Sequence, residues 1–89
     1  MINFRSKLHR DLLGYYFKNP HAEHYLRELS RMLSFDVAHL SQELGKFVRD
    51  GLFVARTSGR EKFFRLNQAH PLASELGVIL KVLGSIEKK

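Results

Sequence analysis

The spacing of apolar positions predicts a helix over about residues 4–18. Apolar side chains recur there at helical steps, at Phe4, Leu8, Leu12, Tyr15 and Tyr16. Asn3 is expected to cap this helix, and Asn19-Pro20 to end it, because the residue before a proline avoids the α conformation. Leu13 and Phe17 form a second apolar stripe, which makes the apolar face wider than packing on one side requires. The helix is therefore either deeply buried or shared between its own core and a second subunit.

Two further helical patterns follow, joined by the three-residue turn Ser34-Phe35-Asp36. The first covers residues 24–33, with a brief extended stretch at its start near Tyr25 and Leu26. Asp36 is expected to cap the second, because its carboxylate can accept the free N–H groups of the first turn. The predicted inward positions are Leu26, Leu29 and Leu33 in the first helix, and Val37, Leu40, Leu44, Phe47 and Val48 in the second.

The opposite face of the second helix, about residues 37–49, differs from an ordinary solvated face. Its residues are small or hydrogen-bonding near the start and basic near the end: Ala38, His39, Ser41, Gln42, Gly45, Lys46 and Arg49. Ladders of Glu and Lys, which often stabilise a purely solvated helix face, are absent from it. The composition of this face favours a binding surface.

A β-hairpin is predicted after this helix. Gly51 can take the left-handed conformation that ends a helix. A strand from Leu52 to Arg56, a turn over residues 57–60 and a return strand over residues 61–66 follow. Strand alternation places Leu52 and Val54 on the same side as Phe64 and Leu66. A hairpin of two strands is marginally stable alone, so it must pack on the helices.

A last helix is predicted over about residues 72–87. Its apolar positions step by 4, 3, 4 and 3 residues, the spacing of a short coiled coil: Leu72, Leu76, Ile79, Leu83 and Ile86. This helix either covers its own domain or forms a dimer seam, together with Leu13 and Phe17 of the first helix.

Composition narrows the classes of function. The 89 residues suffice for one domain, here predicted to span residues 1–89, and its net charge of +6 favours a polyanionic partner such as nucleic acid. The absence of cysteine excludes disulfides and thiolate metal sites, and the spacing of His21 and His24 lacks a third ligand, so neither a metal nor another cofactor is expected. No nucleophile with an adjacent base and no phosphate-binding glycine loop is recognisable, which predicts that the chain is not an enzyme.

The expected location is the cytoplasm. No apolar run approaches the roughly 20 residues of a membrane span, and the first residues lack the pattern of a secretion signal, so no membrane association is expected.

The order of elements predicts a mainly α fold with a small β-hairpin wing, a winged helix-turn-helix. In that arrangement the second helix of the pair lies in the major groove of double-stranded DNA and the hairpin reaches the flanking backbone or the minor groove. We expect Ala38, His39, Ser41 and Gln42 to meet base edges, and Lys46 and Arg49 to meet phosphates. In the wing, the predicted DNA-binding residues are Thr57, Ser58, Arg60 and Lys62.

Several segments resemble winged helix regulators of the ArsR/MarR type. These are Leu26-Arg27-Glu28-Leu29, the run from Val37 to Phe47, Asp50-Gly51-Leu52-Phe53, Gly59-Arg60 and the run from Phe63 to Asn67. The resemblance implies a transcriptional regulator that binds DNA. The wide apolar faces of the first and last predicted helices separately suggest that it forms a homodimer. The cysteine motif of the metal-sensing members is missing, which excludes metal sensing by that route.

Two end motifs resemble the subgroup often joined to a small nucleotidyltransferase domain. They are Tyr16-Phe17-x-Asn19-Pro20 at the front and His70-Pro71-Leu72-x-x-Glu75-Leu76 at the back. The nucleotidyltransferase signature itself is absent. The chain is thus expected to be either a stand-alone regulator or the DNA-binding piece of a longer protein, with a fused or partner effector domain. The alternative function is that of a winged helix adapter that binds protein, for example a nucleotidyltransferase.

Overall fold

Three helices and three strands make up the part of the chain that the structure, a computed structural model, describes, namely residues 2–3 and 5–70. The elements in chain order are α1 (Lys7–Lys18), β1 (Glu23–Tyr25), α2 (Leu26–Leu33), α3 (Val37–Arg49), β2 (Phe53–Ser58) and β3 (Glu61–Leu66). The strands form one antiparallel sheet in the order β1-β3-β2. The predicted last helix, with its dimer positions Leu72, Leu76, Ile79, Leu83 and Ile86, lies outside the described residues.

Helix α1 begins three residues later than the apolar spacing predicted. Its cap is Ser6, whose hydroxyl accepts the backbone N–H of His9 at 3.2 Å. The prediction that Asn3 caps the helix was wrong, because the Asn3 side chain accepts the N–H of Arg5 in a turn that precedes the helix. Within this turn the backbone carbonyl of Asn3 also accepts the N–H of Ser6.

Strand β1 turns the predicted hairpin into a three-stranded sheet. It pairs with β3 so that Glu23 lies opposite Arg65 and Tyr25 lies opposite Phe63. The sequence indicated only a brief extended stretch near Tyr25, because three residues carry too little alternation to predict a strand partner. The third strand supports a hairpin that would be marginal by itself.

The helix-turn-helix formed by α2 and α3 follows the prediction closely. Asp36 caps α3 as expected, since its carboxylate accepts the N–H of His39 at 3.0 Å. Leu40, Leu44 and Phe47 are buried. Val37 is 39 % exposed, so the prediction that it faces inward was wrong. A helical side chain leans toward the N-terminus, so the side chain of the first residue leans off the end of the helix.

The junction between α3 and the sheet explains an error in the predicted strand pattern. Gly51 has a φ of +80°, and the N–H groups of Gly51 and Leu52 bond back to the carbonyls of Val48 and Phe47. This is a Schellman cap, in which the second residue after the helix end packs back on its last turns. Leu52 is therefore buried as part of the cap, before the strand begins.

Strand alternation consequently starts at Phe53. Phe53 lies opposite Leu66 and Ala55 lies opposite Phe64, so these residues share the core-facing side of the sheet. The prediction that Val54 faces the core was wrong, because it counted Leu52 as the first residue of the strand.

The core lies between the sheet and the three helices. Among residues 2–3 and 5–70, twelve buried apolar residues form it: Leu8, Leu12, Leu13, Tyr16, Leu29, Leu40, Leu44, Phe47, Leu52, Phe53, Phe64 and Leu66. The Tyr16 hydroxyl donates to the carbonyl of Phe64 at 2.8 Å, which satisfies the one polar atom that this ring brings into the core. Burial raises the pKa of Tyr16, so the ring stays neutral. In the described part of the chain, no helix has the length and apolarity needed to cross a membrane.

Candidate nucleic-acid interface

All six residues predicted on α3 to meet DNA are exposed. They are Ala38, His39, Ser41, Gln42, Lys46 and Arg49. The most outward line runs at helical steps of 4, 3 and 4 residues through Ala38, Gln42, Gly45 and Arg49, opposite the buried stripe of Leu40, Leu44 and Phe47. We call this line the α3 ridge. Small and polar groups thus lie on the part of the helix that protrudes furthest from the core.

A buried hydrogen bond between His9 and Glu43 joins α3 to α1. The Nε2 atom of His9, a residue only 5 % exposed, lies 2.6 Å from Oε1 of Glu43, whose side chain is 13 % exposed. The other ring nitrogen of His9, Nδ1, accepts the backbone N–H of Asn3 at 2.9 Å. Nε2 therefore carries the ring proton and donates a hydrogen bond to Glu43. The hydrogen bond from His9, helped by Lys46, holds the pKa of Glu43 below its usual range. The Glu43 side chain is thereby held against α1 and not extended into solvent.

The cations of α3 differ in what they contact. The Lys46 ammonium group donates to Oε2 of Glu43 at 3.0 Å, while its side chain remains 57 % exposed. Lys46 is exposed enough to contact a phosphate group, but in the free protein it is paired with the Glu43 carboxylate. The sequence does not reveal this pairing, because the partner that holds Glu43 in place, His9, lies 34 residues away in the chain.

The wing is shorter at its tip than predicted. Ser58 pairs with Glu61, which leaves Gly59-Arg60 as a two-residue turn, and Gly59 has a φ of +61°. A glycine with positive φ at the first central position is typical of a type II′ hairpin turn, whose twist matches that of the strands. The predicted turn residues Thr57 and Ser58 belong to β2 instead.

The four wing residues predicted to meet DNA are exposed, but they lie on different faces. Thr57 lies opposite Lys62, and alternation along β3 places Lys62 on the same side as Phe64, the side against which α3 packs. Ser58 shares the other face with Glu61, and Arg60 is at the tip. Lys62 therefore lies on the α3 side of the sheet, and Arg60 lies at the tip of the wing.

The outer face of the sheet contains a separate charged cluster. Arg56 donates two hydrogen bonds to the carboxylate of Glu23, at 2.7 and 2.8 Å, and its guanidinium group lies 4.8 Å from the centre of the Phe63 ring. This pairing lowers the pKa of Glu23 and raises the pKa of Arg56. Arg65 lies on the same face, opposite Glu23. Of the six basic residues between positions 37 and 65, two thus lie away from α3.

The histidines considered as metal ligands do not converge. His24 contacts the hydroxyl of Tyr15 through Nε2 and the carboxylate of Glu28 through Nδ1, whereas His21 contacts the amide of Gln68. Within residues 2–3 and 5–70, no group of three His, Cys, Asp or Glu side chains could hold a metal ion.

The two described residues of the predicted dimer contact have unequal exposure. Leu13 is fully buried in the core of its own chain, and Phe17 is half-buried against that core. Of the two, only Phe17 therefore offers surface to a second subunit. The remaining positions of the predicted contact lie beyond residue 70.

Comparison with known proteins supports the fold. No family model matches the sequence, and no curated protein matches it. A crystal structure of a possible transcriptional regulatory protein from Mycobacterium bovis, fragment 1–100, is 16 % identical over 92 % of this chain and 83 % of that one, with a TM-score of 0.66.

A solution structure from the same organism gives a similar result. It is the homodimeric winged helix-turn-helix DNA-binding domain, fragment 1–100, of a possible ArsR-family transcriptional regulator. It is 15 % identical over 97 % of this chain and 75 % of that one, with a TM-score of 0.65. The three helices, the antiparallel sheet and these similarities agree, and the chain has the winged helix-turn-helix fold.

Proposed function

We propose that this protein binds double-stranded DNA in a sequence-specific manner and acts as a transcriptional regulator without catalytic activity. The observation that carries the proposal is the α3 ridge, on which Ala38, Gln42 and Arg49 are exposed. The hydrogen bond between Glu43 and His9 joins this helix to α1. A helix of this kind fits the major groove of B-DNA, where base edges are read directly.

The side chains of α3 suit particular base edges. The Gln42 amide can make two hydrogen bonds to adenine, and the Ala38 methyl group can contact the methyl group of thymine. Ser41 and His39 flank them and can donate or accept hydrogen bonds. In this proposal α3 occupies the major groove, with its leading two turns nearest the bases.

Cations around the ridge supply the contacts that do not depend on sequence. Lys46, Arg60 and Lys62 are exposed and suited to phosphates, with the wing on the backbone or in the minor groove. Three phosphate contacts per subunit correspond to a slope of about −2.7 for the logarithm of affinity against the logarithm of salt concentration. A protein that binds other proteins through the same surface has no reason to show such a slope.

The proposal is tested with duplexes selected from a randomised library. Gln42→Ala is expected to weaken binding to the selected duplex by about tenfold or more, and to leave mixed-sequence duplex nearly unaffected. Arg60→Ala serves as the matched control, since it is expected to weaken both duplexes alike and to reduce the salt slope by about 1 per subunit. Equal losses on both duplexes for Gln42→Ala would remove this residue from base reading.

Failure of the chain to bind any duplex would overturn the proposal as a whole. Salt-insensitive binding to a protein, such as an effector or nucleotidyltransferase partner, would then favour the adapter function.

We further propose that the chain acts as a homodimer. The homodimeric state of the M. bovis domain and the exposed part of Phe17 support this assembly. Two copies would bring two α3 helices to successive major grooves, about one helical turn apart. Sedimentation that shows only monomers at high protein concentration would contradict it.

A further inference from the structure

The position of Arg49 on α3 has a feature that the phosphate-contact prediction does not explain. Its Nη1 atom lies 3.7 Å from the point that a Cβ atom on Gly45 would occupy. The side chain thus folds back by one helical turn and lies over Gly45, the direction in which helical side chains lean. At this distance the guanidinium group would be in van der Waals contact with a Cβ atom at position 45, so it lies close to the helix surface, in the space that a longer side chain at position 45 would fill.

Within the part of the chain that the structure describes, the Arg49 guanidinium group has no carboxylate partner, in contrast to two other cations. Lys46 contacts Glu43 and Arg56 is bound by Glu23. Among the described residues, no carboxylate lies within ion-pair distance of Arg49. Its five donors therefore remain available on the α3 ridge, in the same line as Gln42.

From this geometry, and resting on the proposed function, we infer that Arg49 is a base-reading residue that recognises guanine in the major groove. The planar guanidinium group donates two parallel hydrogen bonds to the O6 and N7 atoms of guanine, a pairing that the point charge of lysine reproduces poorly. The ridge has no side chain at Gly45, and the Arg49 guanidinium group lies over this position. From there it faces the base edges instead of projecting toward the DNA backbone.

The spacing along α3 also fixes where the guanine lies. Gly45 is three residues beyond Gln42, or about 4.5 Å along the helix axis. Successive base pairs are about 3.4 Å apart. The guanine read by Arg49 is therefore one or two base pairs from the adenine read by Gln42.

The test uses the full chain and a randomised duplex library. Selected duplexes are expected to share a guanine one or two pairs from an adenine. Replacing that guanine by 7-deazaguanine, which lacks only the N7 acceptor, is expected to weaken binding of the unchanged protein by about tenfold or more. Arg49→Lys is expected to weaken binding to the selected duplex to a similar extent, with no further loss on the 7-deazaguanine duplex.

Two controls separate this role from a phosphate contact. Arg49→Lys, which keeps the charge, is expected to bind mixed-sequence duplex within about twofold of the unchanged protein. Lys46→Ala is the matched control on the same helix, and it is expected to weaken selected and mixed-sequence duplexes equally. Retention of the helical circular dichroism spectrum verifies that each variant is folded.

Several results would overturn the inference while leaving DNA binding intact. These are the absence of a selected guanine at that spacing, unchanged binding of Arg49→Lys to the selected duplex, and additive losses from Arg49→Lys and 7-deazaguanine. If the chain bound no duplex, the proposed function itself would be overturned, and this inference with it.

Discussion

Replacing Glu43 by alanine tests how firmly α3 is fixed to the rest of the molecule. The change leaves the Nε2–H donor of His9 without its acceptor at a site that is 5 % exposed. An unsatisfied buried donor costs about 1–3 kcal/mol. The contact with Lys46, which is largely exposed, adds no more than about 0.5 kcal/mol. We therefore expect Glu43→Ala to lower the free energy of unfolding by about 1–3.5 kcal/mol.

Glu43→Gln separates the hydrogen bond from the charge. The amide oxygen of glutamine can still accept from His9, so the expected loss is smaller, about 0.5–1.5 kcal/mol. Urea denaturation followed by circular dichroism measures both losses. Gln42→Ala is the matched control, because it lies one residue away on the exposed face and should change stability by less than about 0.5 kcal/mol.

The pH dependence gives this reasoning a definite sign. Folding lowers the pKa of Glu43, so the ionised carboxylate is favoured in the folded protein. Its contribution is complete above the unfolded pKa of about 4.3 and is lost as the pH falls through the folded-state pKa. The stability difference between the unchanged protein and Glu43→Gln should thus shrink below about pH 4. A difference independent of pH, or a loss for Glu43→Ala no larger than the control, would refute the role of this pair.

Further predictions concern the core and the helix ends. Tyr16→Phe removes the buried hydrogen bond to the Phe64 carbonyl, and denaturation should show a loss of about 1–2 kcal/mol; a loss under about 0.5 kcal/mol would contradict the contact. Ser34 ends α2 with a φ of +61°, a conformation that favours glycine, so Ser34→Gly is expected to raise the melting temperature. At the end of α3, Gly51→Ala places a Cβ at a φ of +80° and is expected to cost about 1–2 kcal/mol. Ser34→Gly should thus stabilise the protein and Gly51→Ala should destabilise it. If both variants changed the melting temperature in the same direction, the left-handed geometry at these positions would be contradicted.

Short-range features of this protein were largely predictable from its sequence. The bounds of α3, the Asp36 cap, the left-handed Gly51 and the polar composition of the exposed face all depend on residues within one or two helical turns of each other. The order of these local elements along the chain predicted the winged helix-turn-helix fold. The wrong predictions for the Asn3 cap and for the orientation of Val54 were also local. The start of α1 was predicted three residues too early and the start of β2 one residue too early.

Tertiary structure alone decided which residues meet across the chain. The pairing of β1 with β3, the contact of His9 with Glu43 and the binding of Arg56 by Glu23 join residues more than 30 positions apart. Spacing in the sequence reveals which face of an element is apolar, but not which element packs against that face. The sequence identifies which side chains are cationic. Whether a given cation is paired, like Lys46 and Arg56, or folded over a glycine, like Arg49, depends on neighbours that only the packed chain brings together.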